Sequence, residues 1–235
     1  MIRHHRYKAQ IQIKPRIDPK VMPLTGATAE ERLARSVPLF DTPGGQYVER
    51  RGIPVDIAHQ AGVRFDPHWN GRAAVIVPMT GLNGELCSVH GRYLQQRGEE
   101  DKMFTIGPGG GILNVADALA GDMIIVVEGL FDVLSLALCG YRSVATVGRI
   151  APWLQQVCKG KTVLLAFDGN RPGEATAVYY GQYLDGAITH RLKPPDSAKD
   201  WNTALVKEGR SIVEQWLRLN VARFRASNTI DHEHA

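Results

Sequence analysis

Two apolar runs in this chain end in the same way: Met123-Ile124-Ile125-Val126-Val127 runs into Glu128-Gly129, and Val163-Leu164-Leu165-Ala166-Phe167 runs into Asp168-Gly169-Asn170. Runs without polar alternation are buried on both faces, as strands of a parallel sheet covered by helices are. The residues between and after them support that reading, because the rhythm beyond Gly111 alternates strand and helix. Strands are predicted at Met123 to Glu128, Ser143 to Val147, Thr162 to Phe167 and Ala187 to Arg191. Helices are predicted at Phe131 to Cys139, Ala151 to Cys158, Gly173 to Leu184, Asp200 to Lys207 and Ser211 to Ala226.

The earlier half reads differently. Gly45 to Val63 carries apolar residues at helical spacing, broken at Gly52-Ile53-Pro54, which predicts two short helices. Ala73 to Pro78 and Glu85 to Leu94, joined by Thr80-Gly81-Leu82-Asn83-Gly84, form a hairpin pattern. Gln95 to Gly111 reads as a loop, and its run Gly107-Pro108-Gly109-Gly110-Gly111 as a flexible connector. Met1 to Phe40 has weak periodicity and many prolines and charges, so an extended arm is expected there. The ending SNTIDHEHA reads as disordered.

Composition supports a folded core, with 44% hydrophobic residues, and the formal charge of +4 suits a polyanionic partner. The first twenty residues concentrate that charge: Arg3, Arg6, Lys8, Lys14, Arg16 and Lys20 face the single acid Asp18, as in an arm that contacts a nucleic-acid backbone or in a solvated tail. Cys87, Cys139 and Cys158 lie far apart in apolar surroundings, which argues against a zinc ribbon or a disulfide framework. No apolar run is long enough for a membrane span and the start is polar and basic, so a cytoplasmic protein with no membrane partner is expected.

In parallel sheets, ligands sit beyond the carboxyl ends of the strands. Here those ends carry Glu128, with Asp132 one helical turn later, and Asp168. Taken singly, an acid and glycine after a strand reads as a turn or cap. Taken together on neighbouring strands, two carboxylates repel each other unless a cation lies between them, and hard oxygen ligands suit Mg2+ or Mn2+. Lys159-Gly160-Lys161-Thr162 ends like a phosphate loop but lacks the upstream glycine and runs into a strand, so it is not a nucleotide loop.

Val126 to Leu136 resembles the glutamate motif of the Toprim domain of bacterial and phage DNA primases, and Phe167-Asp168-Gly169-Asn170-Arg171-Pro172-Gly173 resembles its Asp-x-Asp motif. Lys193 to Asn202, with Lys199-Asp200-Trp201-Asn202, is similar to a later segment of phage and mobile-element members. Tyr47 to Ile53, His90-Gly91-Arg92-Tyr93-Leu94 and Asp101-Lys102 resemble the lobe that precedes the Toprim domain in those primases. The resemblance implies an α/β fold, a parallel-rich Toprim sheet flanked by helices and preceded by a smaller α+β lobe. Its expected divisions are a basic arm (1–40), an α+β lobe (41–115), the Toprim domain (116–210) and a C-terminal helix and tail (211–235).

The resemblance further implies a primase-type nucleotidyltransferase that makes RNA primers on single-stranded DNA from nucleoside triphosphates, for a phage, plasmid or mobile element, with a replicative helicase as a partner. Glu128, Asp132, Asp168, Asn170 and Asp200 would hold Mg2+ or Mn2+; Arg92 and Lys102 would face phosphates, and Arg3, Arg6 and Lys8 would help hold the template. Lys102 reads equally as a plain surface cation, whereas for Arg92 the functional reading is favoured over that one. The pattern departs from the family at Asn170, where an aspartate is usual, and at Asn202, where many primases have another acid. These departures keep open a catalytically weakened nucleic-acid-binding accessory protein, and the same scaffold also suits a metal-dependent nuclease.

Overall fold

The computed structural model of the chain describes residues 28–98, 101–107, 111–147 and 154–231, with side chains as far as Phe224. Three short helices, α1 (Ala29–Arg35), α2 (Pro43–Arg50) and α3 (Val55–Gln60), precede four strands: β1 (Arg64–Trp69), β2 (Arg72–Thr80), β3 (Leu86–Tyr93) and β4 (Met103–Ile106). These strands are antiparallel neighbours in chain order. There follow α4 (Val115–Leu119), β5 (Met123–Val127), α5 (Leu130–Leu138), β6 (Val144–Ala145), α6 (Leu154–Cys158), β7 (Thr162–Leu165), α7 (Arg171–Tyr183), β8 (Ile188–Arg191), α8 (Trp201–Glu208) and α9 (Arg210–Asp231). The second sheet is parallel throughout, in the order β6-β5-β7-β8.

Alternating side chains of β5 serve two cores. Ile125 and Val127 join Val75 and Val77 of β2, most of α5, and Trp201, Leu205, Val213 and Leu217 in one cluster that runs between the two sheets. Ile124 and Val126 join Val163, Leu165, Phe167 and Tyr180 on the opposite face. Because one apolar cluster spans both sheets, the antiparallel lobe has a fixed seat against the parallel one. Every residue of α5 from Leu130 to Leu136 is buried, as expected for a helix covered on all sides.

The glycine-rich connector is packed at both ends. A side chain at Gly111 would meet the Met79 carbonyl at 2.9 Å, and Gly107, at φ +106°, lies where a Cβ would come 2.6 Å from Cys87 O. Ile112 bridges to Thr80 and Leu113 to Ala145, so this segment stitches one sheet to the other. The described ends of the run, Gly107 and Gly111, are thus tied down; the rest of the expected flexible connector, residues 108–110, lies outside the described residues.

Several elements differ from the expectations. Helix α1 falls inside the predicted arm, and a capping box makes it: Thr28 Oγ1 accepts from Glu31 N at 3.2 Å, while Glu31 Oε2 accepts from Thr28 N at 2.8 Å. Strand β1 hides behind Asp66-Pro67-His68 and a register shift, and β4 forms from the predicted loop by pairing Met103 to Ile106 with Arg92 to Val89. The last helix continues past Ala226 to Asp231, further than its apolar pattern indicates. Cys139 and Cys158 are buried and Cys87 is half-buried, all as free thiols. Among the described residues no helix is long and apolar enough to cross a membrane.

Candidate active site

The register of β5 and β7 delivers the two acids to one edge. Val126 lies beside Leu165, and Ala166 N donates to Val126 O at 2.8 Å, so Glu128 and Asp168 leave the sheet at the same end. Gly129 follows in extended geometry and α5 starts at once, which puts Asp132 in the first helical turn and under the same edge. Asp200 arrives from α8, whose N-terminus it caps by accepting from Thr203 N at 2.6 Å.

These four carboxylates line a cleft of about 430 Å3. Four cations line the same cleft: Arg92 from β3, Lys102 from just before β4 and Arg51 from the end of α2, all from the antiparallel lobe, and Lys199, whose Nζ lies 3.6 Å from Asp200 Oδ2. His90, Gln96, Met103, Phe131, Asn202 and Thr203 complete much of the lining.

The acids raise one another. Asp132 is buried and pushed up to about 8, first by loss of water and then by Asp200 and Asp168. Asp168 is pushed up to about 7, first by desolvation and then by Glu128 and Asp200, with Lys199 and a hydrogen bond from Asn170 pulling the other way. Glu128 reaches solvent through the cleft, yet the surrounding walls still desolvate its carboxyl and raise it; Asp200 adds to this and Lys102 and Lys199 oppose it. Proton uptake or a bound cation relieves such a cluster.

The donor set fits a hard divalent cation in its chemistry: it consists of oxygens, carries excess negative charge, and opens on a polar cleft. Among the described residues, however, no group of three or more His, Cys, Asp or Glu is arranged to hold a metal ion as it stands. The individual residues explain part of this. Asp132 Oδ1 accepts from Trp201 N at 3.1 Å and Asn202 N at 3.3 Å, and Asp200 Oδ1 is spent on its cap, so each already serves the start of α8. Glu128 and Asp168 carry no such commitment to a helix terminus.

Asn170 is placed outside the cleft lining. Its Oδ1 accepts from Gly173 N at 2.9 Å to cap α7, and its Nδ2 donates to Asp168 Oδ2 at 3.3 Å. It therefore supports Asp168 with a donor, where the sequence suggested an ion ligand. Arg92 lines the cleft with a buried Nε that has no hydrogen-bond partner, and Lys102 lies near enough to Glu128 to act on its charge. Arg3, Arg6 and Lys8 lie outside the described residues.

The sequence reading missed Arg51 and Lys199 as cleft residues. Arg51 lies 4.6 Å from the Phe131 ring centroid and donates to Asn202 Oδ1 at 3.0 Å and Tyr47 Oη at 3.2 Å. The Tyr47/Arg51 spacing of four residues was a usable signal, since it puts both on one helical face. Asn202 in turn donates to Arg51 O at 2.9 Å and Ser135 Oγ at 3.1 Å, tying the first lobe to α5 and α8. An aspartate there could not make either donation.

An α/β protein with acids at the carboxyl edge of a parallel sheet, facing a cationic antiparallel lobe, is the class that the fold and cleft define. Residues 125–205 match the Toprim-like family, and the parallel sheet with its flanking helices has the Toprim fold. Residues 25–106 match a domain of unknown function, DUF7146. No curated protein matches the chain. Among solved structures, the primase fragment of the bacteriophage T7 primase-helicase protein is similar at 18% identity, with a TM-score of 0.56 and 72% of each chain covered. A DnaG primase catalytic domain bound to ssDNA is similar at 21% identity and TM-score 0.62, over 81% of this chain and 77% of the other. The Aquifex aeolicus primase, comprising zinc binding and RNA polymerase domains, gives 16% identity and TM-score 0.64 over 84% of this chain and 63% of that one. The fold is that of bacterial and phage primase catalytic cores.

Proposed function

We propose that the chain is a primase-type nucleotidyltransferase that joins nucleoside triphosphates on a single-stranded DNA template. The observation that carries this reading is the cleft itself, lined both by Glu128, Asp132, Asp168 and Asp200 and by Arg51, Arg92, Lys102 and Lys199. Such a cleft accepts a polyanion on its basic side and presents concentrated negative charge to the reacting phosphate, a combination that a divalent ion reconciles. The similar catalytic domain bound to ssDNA supports the template assignment.

Glu128 and Asp168 would hold the ion, Mg2+ or Mn2+. Bound there, such an ion would supply positive charge to neutralise the triphosphate and favour ionisation of the attacking hydroxyl. Arg92 and Lys102 orient the phosphates, and the unpartnered Arg92 Nε is a donor that a phosphate oxygen would satisfy. Arg51, stacked on Phe131 and bonded to Asn202, is held in place to act as a fixed positive charge beside them. Arg3, Arg6 and Lys8 contribute template phosphate contacts, and the similarity to the primase part of a primase-helicase protein supports a replicative helicase as partner.

A second reading, an accessory protein that binds nucleic acid without synthesis, is favoured by Asn170, which offers Asp168 a donor where a further carboxylate would hold a cation. Primer synthesis on single-stranded DNA, with Mg2+ and Mn2+ compared, separates the two. Labelled primers made by the wild type and lost in Glu128→Gln support the polymerase; retained DNA binding with no product supports the accessory protein, and template cleavage would replace both with a nuclease.

A further inference from the structure

We propose that Arg191 is a positioning residue that sets the orientation in which Asp168 meets the cleft; this rests on the reading that Asp168 helps hold a divalent ion. Arg191 is the last residue of β8 and does not line the cleft. Ladder pairing between β7 and β8 ends at Leu165 opposite Arg191, three residues short of Asp168. Beyond that point the Asp168 turn has no strand neighbour on that side, and the Arg191 guanidinium takes over.

Its contacts use the whole fork. Nη2 donates to Asp168 O at 2.7 Å and to Glu174 Oε1 at 2.7 Å, Nη1 to Leu165 O and Leu192 O at 2.8 Å each, and Nε to Glu174 Oε1 at 3.1 Å. A guanidinium has five N–H donors in a rigid plane, so these five contacts leave it little freedom. It joins the end of β7, the Asp168 turn, β8 and the first turn of α7 in one arrangement.

Two further contacts complete the hold on Asp168. Gly169 N donates to Lys199 O at 2.7 Å, and α7 begins so close that a side chain at Gly173 would collide with the Asp168 carbonyl. The backbone is therefore gripped from β8, from the segment before α8 and from α7, and Asn170 holds the carboxylate itself. Of these, only Arg191 brings a charged group to the Asp168 carbonyl. A flat, fully used fork is a specific requirement, since a lysine at 191 offers one ammonium and cannot span the same acceptors.

The test compares wild type, Arg191→Met, Arg191→Lys and Glu174→Gln, using Mn2+ alone as calorimetric probe, primer synthesis as the second readout and circular dichroism to check the fold. Partners that orient an ion ligand are worth about 10- to 100-fold in affinity or activity. Arg191→Met is expected to weaken Mn2+ binding and lower kcat within that range while KM for the nucleotide stays unchanged. Arg191→Lys is expected to fall between it and wild type, and Glu174→Gln, which keeps an acceptor oxygen, closer to wild type than Arg191→Met.

A folded Arg191→Met with wild-type Mn2+ affinity overturns the inference. If that variant does not fold, Arg191→Lys decides, and wild-type affinity there overturns it equally. A wild-type protein that binds no Mn2+ at millimolar concentration fails differently: the metal-site reading falls, and the inference with it.

Discussion

Asn170 donates its side-chain amide to Asp168 Oδ2 at 3.3 Å while its own oxygen caps α7. A residue that resembles a lost ion ligand therefore stabilises the remaining carboxylate by a neutral hydrogen bond. Asn170→Asp keeps the cap, because aspartate and asparagine are comparable at that position. It removes the donor and adds a charge beside an acid already pushed up to about 7. The variant is expected to melt lower than wild type in chelator and to gain more in melting temperature on adding Mg2+. Equal Mg2+ increments in the two proteins would show that position 170 does not sense the ion.

Glu128→Gln tests the other strand end. Glu128 projects from the sheet edge with no packed volume at stake, and Asp200 repels it. The variant is expected to lose primer synthesis entirely and to melt no lower than wild type in chelator. Retained activity would remove Glu128 from the site, and a collapsed fold would make it structural.

The alternation that reveals the sheet is legible because β5 and β7 are buried on both faces, so their residues are apolar whatever the neighbouring helices do. The acids follow from the same fact, since the first polar residue after such a strand stands at its open end. Strand β1 is not legible: Asp66 is buried because its Oδ1 accepts from His68 N at 2.7 Å, a local bond that no periodicity announces. The role of Arg51 depends on Asn202, 151 residues away, and Arg191 looks like an ordinary strand-end cation until the Asp168 carbonyl is brought to it. Positions defined by a long-range partner stay hidden, whereas those defined by burial show in the pattern.

Protonation provides a third test. Asp168 at about 7 and Asp132 at about 8 lie above the unfolded aspartate value of about 3.9. The folded state therefore binds more protons than the unfolded chain between these values, and stability falls as pH rises. The contribution is fully present below about pH 4 and is lost as pH passes through 7 and 8. In chelator, the melting temperature is expected to drop between pH 5 and pH 8 from this cluster, and Mg2+ is expected to restore more of it at pH 8 than at pH 5, where protons compete. A Mg2+ increment independent of pH would show that these carboxylates do not hold the ion.

The interface between α2, α5 and α8 depends on Asn202, which is buried and uses both amide donors. Asn202→Ala leaves Arg51 O, Ser135 Oγ and one Arg51 donor without that partner. An unsatisfied buried group costs about 1–3 kcal/mol. Urea unfolding is expected to show a loss of that order, together with weaker DNA binding because Arg51 loses one of its anchors. Loss of stability with unchanged DNA affinity would separate Arg51 from the nucleic acid.

Salt dependence locates the DNA contacts, because each phosphate neutralised on a single strand contributes about 0.7 to the slope of log affinity against log salt. Two groups of cations compete for the assignment: the cleft set led by Arg92, and the sequence-proximal set of Arg3, Arg6 and Lys8. Arg92→Ala is expected to reduce the slope by about 0.7, one contact, and to lower primer yield, since Arg92 lines the same cleft as the acids. Deleting residues 1–20 is expected to reduce the slope by several such steps while a short primed template is still extended. The two changes remove different phosphate contacts, and their effects on the slope are expected to add. If the deletion leaves the slope unaltered, the template is held by the cleft alone; if Arg92→Ala leaves it unaltered, its unpartnered Nε does not serve a phosphate.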